Sequence, residues 1–324
     1  MLTRRQFTQF TFAAGAASLA AAPSAWSAAT GLKGSTLTLG YQKTGIPLVA
    51  RQLKVFEKRF EPLGIRIEWA EFASGLNLLQ AMDTGDVAFG NAGNVGCIFL
   101  QASGGRVAYV AAQPSTPRSE GILVKEDSPI RSIADLQGRR IGYAKGSSSH
   151  NLVAAALERQ GLDIKAVTSI DLGAADAAFA FDGGDIDAWA IWDPYFTIAR
   201  RRNRTRVIAW QGDVLEDSAS FLLANTGFAK AWPAHVKALV EGSAEAGRWA
   251  RANPAEVAKS VAAATGMPLD VVTEVNANAG FDVVPLSNAI LASQQRTADR
   301  LFKLGVLPKS VAVREAVWDD ADRG

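Results

Sequence analysis

Lys145-Gly146-Ser147-Ser148-Ser149-His150-Asn151 follows the short apolar run Ile141-Gly142-Tyr143-Ala144 and precedes Leu152-Val153-Ala154-Ala155-Ala156-Leu157. The stretch reads as strand, polar turn and helix, with Gly161 closing the helix. Gly146 permits a tight turn, and the serines can cap the helix. A helix start carries four unpaired N–H groups and about half a positive charge. Three hydroxyls beside those amides make a socket for a small oxyanion. An ordinary capped helix start has the same local pattern, so the rest of the chain has to decide. The order is not that of a nucleotide-phosphate loop, which needs Gly-Lys-Ser or Gly-Lys-Thr.

Outward from this stretch, strands and helices alternate in both directions. Towards the N-terminus, strands are expected at 36–40, 65–69, 86–90 and 107–112, the first three each followed by a helical pattern of suitable length. Beyond Gln113-Pro114-Ser115-Thr116-Pro117 the scheme restarts, with strands at 121–124, 139–144, 167–172, 186–192 and 207–209. Ser220-Phe221-Leu222-Leu223-Ala224 reads as a strand returning to the first unit. From Phe228 onward the pattern is almost wholly helical. Strands separated by helices predict an α/β fold in which each lobe is a mostly parallel sheet flanked by helices. Two extended crossings, near 113–120 and 215–222, would join the lobes as a double hinge, giving a clamshell with a helical C-terminal part. The expected division is a discontinuous lobe I (33–116 and 220–324) and a lobe II (117–219).

Charge restricts the partners. The chain of 324 residues has a formal net charge of +2, and Arg4 and Arg5 account for both. No basic excess remains for a nucleic-acid or membrane surface, so neither is expected as a partner. Any anion must be held by local dipoles and hydrogen bonds. Cys97 is the only cysteine, which excludes an internal disulfide and a thiolate metal cluster. No metal spacing, cofactor motif or catalytic triad stands out, so no metal, cofactor or catalytic residue is expected. Residues 1–27 read as an export signal: two adjacent arginines, an apolar run from Phe10 to Ala22, then small residues. The twin arginines point to the twin-arginine route and a periplasmic destination.

Ligands of such folds sit where the carboxyl ends of the strands face each other. The loops there offer Gln42, the turn Asn91-Ala92-Gly93-Asn94, the turn Ser147 to His150, and Trp192-Asp193. Trp192 and Tyr195 are expected to wall an apolar tail, and amides and hydroxyls to take oxygens. His150 is expected as a neutral donor at the cleft. Asp193 is expected as an N-cap with Pro194 at the first helical position, its charge offsetting that helix start. Trp189 is expected in the core. A site of neutral donors is expected, free of acidic side chains at the Ser147–His150 turn.

Tyr41-Gln42-Lys43, the 145–151 stretch, and Asp187-Ala188-Trp189-Ala190-Ile191-Trp192-Asp193-Pro194-Tyr195 together resemble the periplasmic aliphatic-sulfonate-binding proteins of ABC importers. The resemblance runs from about residue 35 to Trp318. It implies a two-lobed periplasmic binding fold (type II), a sulfonate anion as ligand, an inner-membrane permease as partner, and a monomer. The implied contacts are Gln42, the 91–94 turn, Ser147 to His150, and Trp192. Asn94 departs from the Thr-Gly-Asp turn common in relatives, and Asn91 replaces a smaller residue. Loss of a carboxylate at position 94 is expected to broaden or alter the tail preference. A sulfonate is a permanent monoanion with three acceptor oxygens, which suits a site built of donors.

Three alternatives stay open at this level. One is a binder of a related anion or sulfate ester. Another is an enzyme on the same fold, such as a desulfinase with a cysteine nucleophile. Cys97 lies in an apolar helix, where a buried, inert thiol is the better reading. The third is a sensor that docks on a membrane partner.

Overall fold

A computed structural model of the chain describes residues 35–319 apart from Asn203. The export-signal segment 1–27 lies outside the described residues. The first unit runs β1 (Thr36–Tyr41), α1 (Gly45–Gln52), α2 (Val55–Phe60), β2 (Arg66–Glu71), α3 (Gly75–Thr84), β3 (Phe89–Ala92), α4 (Asn94–Ala102) and β4 (Val107–Pro114). The second runs β5 (Glu120–Lys125), β6 (Arg140–Tyr143), α5 (Ser148–Arg159), β7 (Thr168–Asp171) and α6 (Ala174–Gly183). It continues with β8 (Ala188–Trp192), α7 (Tyr195–Arg202), β9 (Thr205–Trp210) and the short α8 (Gln211–Val214). The chain then returns through β10 (Ala219–Asn225) into α9 (Thr226–Ala231), α10 (Pro233–Ala252), α11 (Pro254–Thr265), α12 (Leu269–Ala277) and α13 (Asn288–Lys303).

The sheets are mixed, and in the same way. One has the order β2-β1-β3-β10-β4, the other β7-β6-β8-β5-β9. In each, one strand runs against its neighbours: β10 is antiparallel to β3 and β4, and β5 to β8 and β9. These two strands are the ones that receive the chain as it crosses between units. The remaining pairs, β1 with β2 and β3, and β6 with β7 and β8, are parallel. The crossings lie side by side, tied by Ser115 N donating to Ser218 O and Gly212 N to Pro117 O.

Burial on both faces explains the continuous apolar runs of the crossing strands. In β10, Leu222 and Ala224 face one core cluster while Phe221 and Leu223 face the other. In β5, Ile122 and Val124 point one way and Leu123 the other; in β8, Trp189 and Ile191 oppose Ala188 and Ala190. Trp189 therefore packs in the core, as expected. Each fully buried side chain of this size contributes about 1.5–3 kcal/mol. One expected helix divides: Lys54, in the left-handed region at φ 54°, separates α1 from α2.

The second unit is braced against the first along two helices. On α13, Arg300 Nη1 donates to Asn151 Oδ1 on α5 (2.8 Å), and Arg300 Nε to Glu158 Oε2 (2.9 Å). On α12, Glu274 and Asp270 pair with Arg200 and Arg201 of α7.

Candidate functional site

Parallel strands followed by helices place helix N-termini at the carboxyl edge of each sheet. α3, α4 and α5 all begin there, at Ser74-Gly75, Gly93-Asn94 and Ser147-Ser148, around a cavity of about 500 Å³. That volume suits a small ligand. Gln42, at the end of β1, and Trp192, at the end of β8, complete opposite walls, and Leu76, Leu79 and Val95 supply apolar surface. A second cavity of about 250 Å³ shares Gln42, Ser115, Ser119, Asp193 and Ser220 with the first and holds Asn91. Among the described residues, no lysine or arginine lines either cavity.

The turn into α5 is set by its residues. Gly146 adopts φ +76°, and Ser147 is the N-cap, its Oγ accepting from His150 N at 3.4 Å and donating to Ala144 O at 2.6 Å. The first helical backbone bond is Asn151 N to Ser147 O. The amides of Ser148 and Ser149 are thus first-turn groups without helical acceptors. α4 starts on Gly93, which has no capping side chain. Asn94 is 7% exposed; its Oδ1 accepts from Val95 N at 2.9 Å, and its carbonyl accepts from Gln294 Nε2 at 2.8 Å.

Of the residues singled out from the sequence, Gln42, Gly93, Asn94, Ser147, Ser148, Trp192 and Asp193 line the larger cavity, and Asn91 the smaller. Ser149 and His150 line neither, and the expectation that they face the cleft is corrected. Ser149 is fully buried, and its hydroxyl donates to Glu120 Oε1 at 2.7 Å. His150 stacks on Tyr143, with ring centroids 4.9 Å apart, and its Nδ1 accepts from Gly146 N at 3.1 Å. It braces the turn from beneath. Burial and then the nearby Lys145 charge hold its pKa below the ordinary histidine value, which keeps it neutral. Tyr195 also lines neither cavity and packs beside the Trp189 cluster.

Asp193 sits one residue further out than an N-cap, because α7 starts at Tyr195. Its role is nevertheless that of a cap: Oδ1 accepts from Thr197 N at 2.9 Å. Oδ2 accepts from Asn278 Nδ2, just after α12, at 3.4 Å, so the same carboxylate bridges the two units. Burial raises its pKa, against hydrogen bonds from Thr197 and Asn278 that lower it.

Glu120 was missed. It opens β5 at 3% exposure and lines the cavity beside Ser148. An acid therefore lies at the socket, against expectation. Burial pushes its carboxyl up to about 7, opposed by hydrogen bonds from Ser149 and Ser148. The signal was available: an acid directly before the buried run Gly121-Ile122-Leu123-Val124, at the crossing itself. Ser74, the N-cap of α3, was also missed, as were Ser115, Ser119, Ser218 and Ser220, which are brought together only by the crossings.

Among the described residues, no cysteine lines either cavity. Cys97 is buried in α4, its Sγ donating to Gly93 O at 3.3 Å, and burial raises its pKa far above the ordinary thiol value. A thiol held protonated is inert.

Two α/β units, joined by paired crossings around a ligand-sized cavity at their facing strand ends, define the periplasmic solute-binding class. The chain belongs to the NMT1/THI5-like family, whose model matches residues 57–257. It is similar to the periplasmic aliphatic sulphonate binding protein SsuA from Escherichia coli, at 35% identity over 88% of this chain and 92% of that one, with a TM-score of 0.84. It is also similar to the alkanesulfonate-binding protein SsuA from Xanthomonas axonopodis pv. citri, solved bound to MOPS. There the identity is 36%, over 87% of this chain and 98% of that one, and the TM-score is 0.78. The desulfurization enzyme DSZB shares the fold at 20% identity and a TM-score of 0.67, over 88% of this chain and 96% of that one.

Proposed function

We propose that the protein is the extracytoplasmic substrate-binding component of an ABC importer, capturing aliphatic sulfonates between its lobes and delivering them to the permease. The observation that carries this reading is the convergence of three helix N-termini on a cavity with serine hydroxyls and, among the described residues, no cationic side chain. A sulfonate, a permanent monoanion with its charge spread over three oxygens, is matched by amides and hydroxyls without a counter-charge. The similarity to both SsuA proteins supports the same class of ligand, and that to the Escherichia coli protein a periplasmic location. In this reading the head group meets the first-turn amides and hydroxyls of Ser147 and Ser148, with Gln42, Gly93 and Asn94 opposite. Trp192 and the leucines take the tail. Asn91 serves the adjoining cavity, and Ser149 and His150 hold the socket in shape. Residues 33–116 and 220–324 close as one lobe on 117–219. The exported protein works as a monomer.

A thermal-shift screen of alkanesulfonates, sulfate esters, nitrate and thiamine precursors tests the proposal. A selective rise in melting temperature with sulfonates is expected; stabilisation by nitrate or a thiamine precursor alone would overturn it. The neutral Asn94 side chain is proposed to widen the range of tails. Calorimetric titration of wild type and Asn94→Asp with short alkyl, aryl and sulfate-ester ligands checks this, and an identical ranking would remove the idea. A desulfinase reading requires sulfite release from a sulfinate, and none is expected, given the buried Cys97.

A further inference from the structure

Glu120 stands at the point where the chain first enters the second unit. It is in register with Trp192 across the β5–β8 pair, and it forms cavity wall between Ser119 and Ser148. Its carboxyl takes the Ser149 hydroxyl at 2.7 Å. Among the described residues, no lysine, arginine or histidine is hydrogen-bonded or ion-paired to it. The charged and titratable groups on the elements around it are engaged elsewhere. Asp193, at the end of β8, is held by Thr197 and Asn278. Lys145 precedes α5; its charge is felt at His150, whose pKa it lowers, and among the described residues it makes no ion pair with Glu120. His150 is buried and stacked on Tyr143. Arg118, two residues upstream, lies over the Trp210 ring at 4.9 Å. From α8 and the second crossing, Gln211, Ser218, Ala219 and Ser220 line the cavity, none of them charged.

We propose that Glu120 is a specificity residue of the sulfonate site that must carry a proton when the anion is bound, so that sulfonate capture takes up a proton. The proposal rests on the sulfonate-binding reading and deepens it. An ionised Glu120 would be an unpaired carboxylate sharing a closed cavity with a second negative charge, in a medium of low dielectric. It would also draw the Ser148 and Ser149 hydroxyls towards itself, away from the ligand. Protonation removes the repulsion and leaves the Ser148 hydroxyl to the sulfonate. In net balance, ligand anion, carboxylate and one proton combine to give the bound anion beside a neutral carboxylic acid. The raised pKa of Glu120 puts this exchange close to neutral pH. Dianions such as sulfate meet a larger penalty than monoanions, which favours an alkanesulfonate over inorganic sulfate.

The test is calorimetric titration of the full exported chain with butane-1-sulfonate and octane-1-sulfonate in sulfonate-free amine buffers. Neither ligand titrates in the range used. Wild-type affinity is expected to fall roughly tenfold or more between about pH 6 and about pH 8.5, as the carboxyl ionises. Binding near neutral pH should take up a fraction of a proton, read from the dependence of the heat on buffer ionisation enthalpy. Glu120→Gln, which keeps the shape and cannot ionise, is expected to give a flat pH profile and no proton uptake. Ser149→Ala provides a second variant, expected to keep the pH dependence but shift its midpoint. A wild-type profile that is flat while sulfonates still bind, or proton uptake that survives Glu120→Gln, would overturn the inference alone. Absence of sulfonate binding at every pH would instead overturn the sulfonate reading, and the inference with it.

Discussion

Gly146, in the turn before α5, lies against the ring of Phe99 on α4: a β-carbon at Gly146 would meet Phe99 Cε2 and Cζ at 3.1 Å. The two units thus touch at the lip of the socket, through a residue that also holds φ +76°.

Gly146→Ala should therefore act twice. The left-handed backbone penalises a side chain by about 1 kcal/mol, and the added methyl presses the units apart. A lower melting temperature and a several-fold weaker sulfonate affinity are expected together. Unchanged affinity in a titration would mean that the approach at Phe99 plays no part in closure.

Arg300→Ala removes a tether at 17% side-chain exposure, leaving Asn151 Oδ1 on α5 without its donor. Urea denaturation should show a loss of about 1–2 kcal/mol, and small-angle scattering a less compact ligand-free particle. Lys303→Ala is the control: Lys303 is 76% exposed and 3.8 Å from Glu158, and its removal should stay within about 0.5 kcal/mol.

Ser148 and Ser149 should separate cleanly. Ser148→Ala takes a hydroxyl from the cavity wall and is expected to weaken sulfonate binding by about 1–3 kcal/mol with little change in melting temperature. Ser149→Ala takes a donor from buried Glu120, so its main effect should be on stability and pH response. Equal losses of affinity from both would place the head group deeper than the cavity allows.

Stability should fall as pH rises from about 4.5 to about 7. Glu120 has its pKa raised from 4.5 to about 7, so the folded state favours the protonated carboxyl. That contribution is fully present below the unfolded value and is lost as pH rises through about 7, a difference of about 3 kcal/mol. Denaturation of wild type and Glu120→Gln on either side of this range checks the sign. The variant should gain on wild type at high pH; a constant gap would rule out titration of this group.

Much of the fold was legible because its signals are local. Apolar runs bounded by glycine and polar turns mark the strands, and the apolar run around Trp189 puts that residue in the core, where it is found. The cap at Ser147 and the capping charge of Asp193 can be read from short spacings. The site was legible only as a set of loops. α5 is buried from Ser149 through Leu157, so it has no polar face from which its roll could be inferred. With successive residues about 100° apart around a helix, that roll decides which serines reach the cavity.

The sequence by itself determined the alternation of strands and helices, the double crossing and the polar helix starts, since each depends on neighbours within a few residues. Tertiary structure alone decided that Ser148 faces the cavity while Ser149 turns to Glu120, and that serines from both crossings meet there. Those outcomes depend on how α5 seats between β5, β8 and α13, a matter of packing between segments far apart in the chain. Packing of that kind sets which charges lose water, and so which carboxyl gives up its proton with difficulty.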